Sequence, residues 1–247
     1  MDIEEWMGVW YPRIARILGL SVEADTQAAR LLEELSDDVR TCEDVARRMI
    51  EGRTCVVFGA GPTLRDSFDQ MRLEGCVSVA ADGAARIFME RGRPPPDVLV
   101  TDLDGGDDVI TWCATNGSIV VVHAHGDNTD ALRRLTPILL EKKARLILTC
   151  QVEPSAKIRN FYGFTDGDRA AWFCHAMGAG RIILVGMDFG SRIGEYSKLA
   201  GHPNPSLKLI KLRLGMELVV RLAKEAEVYT YKGSPRLGDI PETGSPT

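Results

Sequence analysis

Short apolar runs recur along the chain from residue 54 onward, and several are followed by a turn and then a stretch with helical spacing. The runs at 55–58, 76–80, 98–100, 119–122, 146–148, 161–164, 182–185 and 228–231 read as strands. Helices are predicted over 64–73, 84–90, 130–140 and 169–177. A longer helix follows Pro205, with Leu207, Leu209, Ile210, Leu212, Leu214, Leu218 and Val219 mostly on one side. Pro94, Pro95 and Pro96 form a rigid connector that no helix accommodates. Strand and helix alternating at this spacing predict an α/β fold with a doubly wound, mostly parallel sheet. Residues 1–50 differ. They hold no strand-like run, and Ile14, Ile17, Leu18, Ala28, Leu31, Leu32 and Leu35 recur at helical intervals. The chain therefore divides into a helical N-terminal segment (1–50), an α/β catalytic domain (51–233) and a tail (234–247) rich in Pro, Gly, Ser and Thr. The tail is expected to be mobile.

Polar chemistry clusters just after the apolar runs. Five acidic motifs occupy these places: Ala-Asp-Gly-Ala at 81–84, Thr-Asp-Leu-Asp-Gly at 101–105, His-Ala-His-Gly-Asp-Asn at 123–128, Thr-Asp-Gly-Asp-Arg at 165–169 and Gly-Met-Asp-Phe-Gly at 186–190. The loop after a parallel strand lies at the carboxyl edge of the sheet, where open α/β sheets bind ligands. Carboxylates gathered on one rim repel each other and call for a cation. Hard oxygen ligands at this density point to magnesium, and magnesium to phosphate chemistry.

Each motif also has a plainer reading. Asp102 and Asp104 share one side if the backbone stays extended, which suits a shared metal; otherwise they are solvated loop acids, one capping a helix. Asp82, Asp166 and Asp168 precede helices and would serve as caps, as would Asn128 or Thr129. His123 and His125 alternate beside carboxylates, yet the other loops offer only oxygens, which disfavours zinc. His123 reads equally as a core histidine. Gly59-Ala60-Gly61-Pro62 is either a tight strand-to-helix turn or a phosphate site at a helix start. Arg169 sits in a first helical turn, where the helix dipole disfavours a cation, so a phosphate or an ion pair would account for it. Lys208 and Lys211, three residues apart, share a helical face that fits polyphosphate or simply solvent. The segment 194–197 has the look of a mobile lid ahead of Lys198.

Composition narrows the classes. The net charge is −5 with no basic block, so the electrostatic footprint of a nucleic-acid binder is missing. No apolar run reaches membrane-spanning length, and the acidic N-terminus is unlike a secretory leader. The six cysteines are scattered without a Cys-x-x-Cys pair. The expected setting is the cytoplasm, with neither nucleic acid nor membrane as partner, and with the N-terminal segment available for a homodimer contact.

The ordered set GAGPTL, AADGA, VTDLDG, HAHGDN, GFTDGDRA and GMDFG, followed by spaced lysines, resembles the archaeal type of 6-hydroxymethyl-7,8-dihydropterin diphosphokinase over roughly residues 55–213. More distantly it is similar to thiamin pyrophosphokinase, whose acidic motifs match Asp82, Asp102, Asp104 and Asp127. Gly105 stands where that family has serine, which argues against thiamin as substrate. The resemblance implies a Rossmann-like, thiamin-pyrophosphokinase-like fold. It also implies transfer of diphosphate from ATP to a reduced pterin alcohol, releasing AMP, in folate or methanopterin biosynthesis. Asp82, Asp102, Asp104 and Asp127 would hold Mg2+. Gly59, Gly61, Thr63, Asp166, Asp168, Asp188 and Lys198 would line the nucleotide. Lys208, Lys211 and Arg169 would neutralise phosphate, and His123 or Asp127 would accept the hydroxyl proton. Phe161, Tyr162 and Phe164 are candidates to stack on the pterin or to fill the core. Three rivals stay open: a nucleotide-sugar-dependent glycan-modifying transferase of the same fold, a dinucleotide-dependent oxidoreductase prompted by the glycine turn, and a non-catalytic binding module.

Overall fold

Strands that are apolar on both faces must be covered on both faces, and parallel sheets meet that need with crossover helices. A computed structural model, which describes residues 1–37, 39, 41–197 and 204–246, shows this arrangement. Among the described residues, β1 (Thr54–Phe58), β2 (Val77–Ala81), β3 (Val98–Thr101), β4 (Ile119–Ala124), β5 (Arg145–Cys150), β6 (Arg181–Val185), β7 (Val228–Tyr231) and β8 (Glu242–Thr243) form one sheet. Their order is β5-β4-β3-β2-β1-β6-β7-β8, and every neighbouring pair is parallel. The fold is the doubly wound α/β architecture that the apolar pattern predicts.

The winding places the site. From β1 the chain steps through β2, β3, β4 and β5, then returns to lay β6 on the other side of β1. The loops leaving β1 and β6 therefore diverge and open a crevice at the carboxyl edge. Alternation sorts the strand side chains. Val56, Phe58, Leu99, Val122 and Val185 join one core cluster, and Cys55, Val57, Val100, Ile182 and Leu184 join the other.

The first face is covered by α3 (Val22–Leu35), α5 (Leu64–Gln70), α6 (Arg86–Glu90), α7 (Asp107–Thr115) and α8 (Thr129–Glu141). The second carries α4 (Glu43–Ile50), α9 (Asp166–Ala176) and α10 (Pro205–Leu222). Helix α9 crosses beneath β1, β2 and β3, so its N-terminus arrives at the centre of the rim. Its start is set by a capping box between Thr165 and Asp168. Helix α7, between β3 and β4, has no counterpart in the sequence reading.

The N-terminal segment is helical as expected and is part of the main core. A run of α1 (Ile3–Glu5), a π turn (Trp6–Trp10) and α2 (Tyr11–Leu18) ends at Gly19 in the left-handed conformation. Trp6, Tyr11, Ile14 and Leu32 are buried in the cluster that also holds β4 and β5 residues.

Two expectations give way. Residues 161–164 are not a strand: Tyr162 has φ 67°, and its amide donates to Asn160 Oδ1 at 2.9 Å. Residues after Gly233 do not hang loose. Leu237 and Ile240 are buried, and β8 pairs with β7. Two apolar anchors suffice to dock a segment whose overall composition is polar.

Candidate active site

The loops after β1, β2, β3, β4 and β6, with the starts of α9 and α10, surround a cavity of about 640 Å³. Of the residues singled out in sequence, Gly59, Gly61, Asp82, Asp102, Asp104, Asp127, Asp166, Arg169, Asp188, Lys208 and Lys211 line it. Thr63, His123 and Asp168 do not, and Lys198 lies outside the described residues.

Asp82, Asp102 and Asp104 each offer an oxygen, and these oxygens lie within 4.8 Å of one another. Two backbone turns bring them together. Asp82 has φ 46° and Leu103 φ 72°, so Asp102 and Asp104 converge through a left-handed turn and not through the extended pleat the sequence suggested. Thr101 steadies both loops: its hydroxyl donates to Asp82 Oδ1 and accepts the Leu103 amide at 2.8 Å. Gly105 makes the approach of the loops feasible, because a Cβ there would stand 2.5 Å from Asp82 Oδ2 and 2.6 Å from the Gly83 nitrogen.

The electrostatics fit a cation. Burial first, then the charges of Asp102, Asp166 and Asp104, push the Asp82 carboxyl well above its usual range. Burial and Asp102 likewise raise Asp166 to about 8. Burial would raise Asp102 too, but hydrogen bonding to His125 and the nearby charges of Arg169 and Lys208 hold it below the ordinary value. Asp102 Oδ1 is buried with no hydrogen-bond partner among the described residues. Crowded carboxylates, one with an orphaned oxygen, suit an oxygen-seeking divalent ion. Asp127 departs from expectation. It is exposed on the rim, outside this group of three, and its amide donates to His125 Nδ1 at 3.3 Å.

Positive charge faces the carboxylates. Arg169 is buried, with Nη2 2.9 Å from Gln151 Oε1 and Nη1 3.5 Å from Asp166 Oδ1. Lys208 and Lys211 project from the first turns of α10. Phe164 neighbours two of these cations, with Arg169 Cζ and Lys211 Nζ each 5.9 Å from its ring centre. Phe161 and Tyr162 point away, onto Phe173 and Trp172.

Several candidates are engaged elsewhere. His123 is buried, with Nδ1 3.0 Å from Thr149 Oγ1, and burial followed by the Arg169 charge drives its pKa well below the usual value. It lies behind the cavity wall and does not reach the cavity. Asp168 accepts the Phe164 and Thr165 amides at 2.5 and 2.8 Å and caps α9. Asp188 accepts the Thr63 amide at 2.8 Å and its hydroxyl at 2.5 Å, which ties the β6 loop to the start of α5. That tie draws the backbones close: a Cβ on Gly61 would overlap the Gly186 carbonyl oxygen. The segment 194–197 is tethered. Tyr196 is buried, and its hydroxyl accepts from Arg65 Nη2 at 2.7 Å and donates to Glu90.

In sequence Asn128 reads only as a candidate helix cap, and Gln151 belongs to none of the motifs. Asn128 Nδ2 donates to the carbonyls of Asp102 and His123, both at 2.7 Å, and binds the β3 and β4 loops together. Gln151 follows β5 at the same sheet edge as the acidic motifs, but a neutral amide carries no charge signal.

A family profile described as 6-hydroxymethylpterin diphosphokinase MptE-like matches residues 29–194. Three archaeal proteins named 6-hydroxymethyl-7,8-dihydropterin pyrophosphokinase are similar over nearly their whole lengths. The one from Pyrococcus furiosus is 41% identical over 226 residues, covering 89% of this chain and 93% of its own. That from Methanothermobacter thermautotrophicus is 37% identical over 235 residues (92% and 98%). That from Methanocaldococcus jannaschii is 32% identical over 252 residues (94% and 100%).

Proposed function

This chain belongs to the MptE-like 6-hydroxymethylpterin diphosphokinase family, and on that premise we propose that it transfers diphosphate from ATP to the hydroxymethyl group of 6-hydroxymethyl-7,8-dihydropterin, releasing AMP. The pterin comes from the family. The polyphosphate chemistry is supported independently by one observation: three converging carboxylates face Arg169, Lys208 and Lys211 across one cleft.

In the reaction the pterin hydroxyl oxygen forms a bond to the β-phosphorus while the bond from that phosphorus to the α,β-bridging oxygen breaks. The hydroxyl proton leaves, and AMP carries away the electron pair. Such transfers need alignment and charge stabilisation more than covalent help. Arg169 and the two lysines would neutralise phosphate oxygens as charge moves toward AMP. Gln151 and Asp166 hold the Arg169 guanidinium in place for this. Asp82, Asp102 and Asp104 would hold Mg2+, which when bound shields the polyphosphate charge. Of the two bases considered from sequence, Asp127 lines the cleft, which favours it as the proton acceptor. The glycine turns at 59–61 and 186 let the β1 and β6 loops pack closely at the switch point between those strands, beside the cleft in which a nucleotide would lie.

The decisive assay mixes protein, ATP, Mg2+ and the pterin alcohol and follows AMP and pterin diphosphate. Stoichiometric appearance of both is expected, and neither without the pterin. Absence of AMP under saturating substrates overturns the reading.

A further inference from the structure

The N-terminal segment carries a buried carboxylate, Asp25 on α3, only 3% exposed. A buried carboxylate is costly unless its oxygens are satisfied. Here three neutral donors meet it. Oδ1 accepts the Gly126 amide at 2.7 Å; Oδ2 accepts the Tyr11 hydroxyl at 2.6 Å and Gln151 Nε2 at 2.7 Å.

Two of these bonds lead into the cleft. Every one of these contacts is donated to Asp25, so Gln151 turns its NH2 toward it. That leaves Gln151 Oε1 facing outward, where it receives Arg169 Nη2 at 2.9 Å. With the amide reversed, Gln151 would set its oxygen against the Asp25 carboxylate and its N–H groups against those of Arg169. The second bond draws loop 125–128 onto α3. The fit is close enough that a Cβ on Gly126 would stand 2.8 Å from Ala24 Cβ. The same loop presents His125, whose Nε2 is 3.3 Å from Asp102 Oδ2. One carboxylate thus orients the arginine on the phosphate side and the histidine on the carboxylate side of the cleft.

We infer that Asp25 is a positioning residue for diphosphate transfer, acting through Gln151 on Arg169 and through Gly126 on His125. This rests on the diphosphokinase reading above. It gives residues 1–50 a part in the chemistry, since the helix that completes the core also sets the geometry of the cleft.

The test is an exchange of amide and carboxylate. Asp25→Asn places an amide against Gln151 or Gly126 and is expected to lower kcat about 10- to 100-fold, the usual effect of losing a group that orients an active-site side chain. The double variant Asp25→Asn with Gln151→Glu restores the pairing. Its new amide at position 25 donates to the new carboxylate at position 151, whose other oxygen accepts from Arg169. The amide oxygen at position 25 still accepts from the Gly126 nitrogen. This variant is expected to recover kcat to within about threefold of wild type, as strongly coupled partners do. Affinity for α,β-methylene-ATP with Mg2+ is measured alongside by calorimetry, and melting temperature by circular dichroism. A merely structural role would lower the melting temperature and leave kcat per folded molecule unchanged. Folded Asp25→Asn with wild-type kcat and nucleotide affinity overturns the inference. Should that variant not fold, the double variant decides: a folded protein still impaired about tenfold or more overturns the relay. Wild type lacking AMP release is a failure of the diphosphokinase reading instead, and the nucleotide affinities of the variants then test Asp25 alone.

Discussion

His125 Nε2 lies 3.3 Å from Asp102 Oδ2, and the Asp127 amide points at the opposite ring nitrogen, Nδ1, also at 3.3 Å. The amide can only donate, so Nδ1 is the acceptor and Nε2 carries the proton toward Asp102. One carboxylate oxygen is thereby engaged, and the other is buried without a hydrogen-bond partner among the described residues. The Asp102 carboxylate is thereby fixed in one orientation beside Asp82 and Asp104.

Removing that carboxylate should separate binding from folding. Asp102→Asn keeps the shape and one acceptor but removes a negative charge from a repelling group. Turnover is expected to fall at least about 100-fold, since an oriented charge at the reacting phosphates is lost. Wild-type melting temperature should rise on adding Mg2+, and that of the variant should not. A variant with an undiminished Mg2+ response in differential scanning fluorimetry would remove Asp102 from the metal site.

Asp166 makes stability depend on pH in the metal-free protein. Its carboxyl is raised from 3.8 to about 8, by burial first and by Asp102 next. A folded-state value above the unfolded one means the group favours the fold fully below about 3.8, and that contribution is lost as pH rises through about 8. Metal-free wild type should therefore lose melting temperature as pH rises from about 4 to about 8, and Asp166→Asn should flatten the curve. Parallel curves for the two proteins would contradict this.

Gly83 is in contact with the strap above the cleft. A Cβ there would overlap the Tyr196 carbonyl oxygen, and Tyr196 is held by Arg65 and Glu90. Backbone must shift to admit Gly83→Ala, at a cost of about 1–3 kcal/mol by analogy with overpacked cores. Chemical denaturation should show this loss, together with a raised KM for ATP. Wild-type stability would mean that the strap yields freely.

Lys208 and Lys211 are half-buried on α10, whose core contacts come from Leu214, Leu218 and Val219. Lys208→Ala and Lys211→Ala should leave stability within about 0.5 kcal/mol, as surface changes do. Each should raise KM for ATP about tenfold and leave it less sensitive to salt than in wild type. Steady-state kinetics at two ionic strengths check this, and an unchanged KM would place the polyphosphate elsewhere.

The apolar rhythm by itself determined the parallel sheet, because strands buried on both faces have few other solutions, and it put five polar motifs on one edge. The convergence of Asp82, Asp102 and Asp104 was legible for that reason. Other parts were decided only in three dimensions. Asp127 and His123 sit at the same strand end, yet one reaches open solvent and the other the core, because the pleat alternates and the loop then turns. Asp168 and Thr63 are engaged at helix starts and stay out of the cavity, while Asp188 binds Thr63 and still lines it. Asp25 and Gln151, 126 residues apart, carry no motif at all. A buried carboxylate acquires meaning only from the donors that folding brings to it, and here those donors come from a neighbouring helix, a distant loop and a strand end, which local pattern does not bring together.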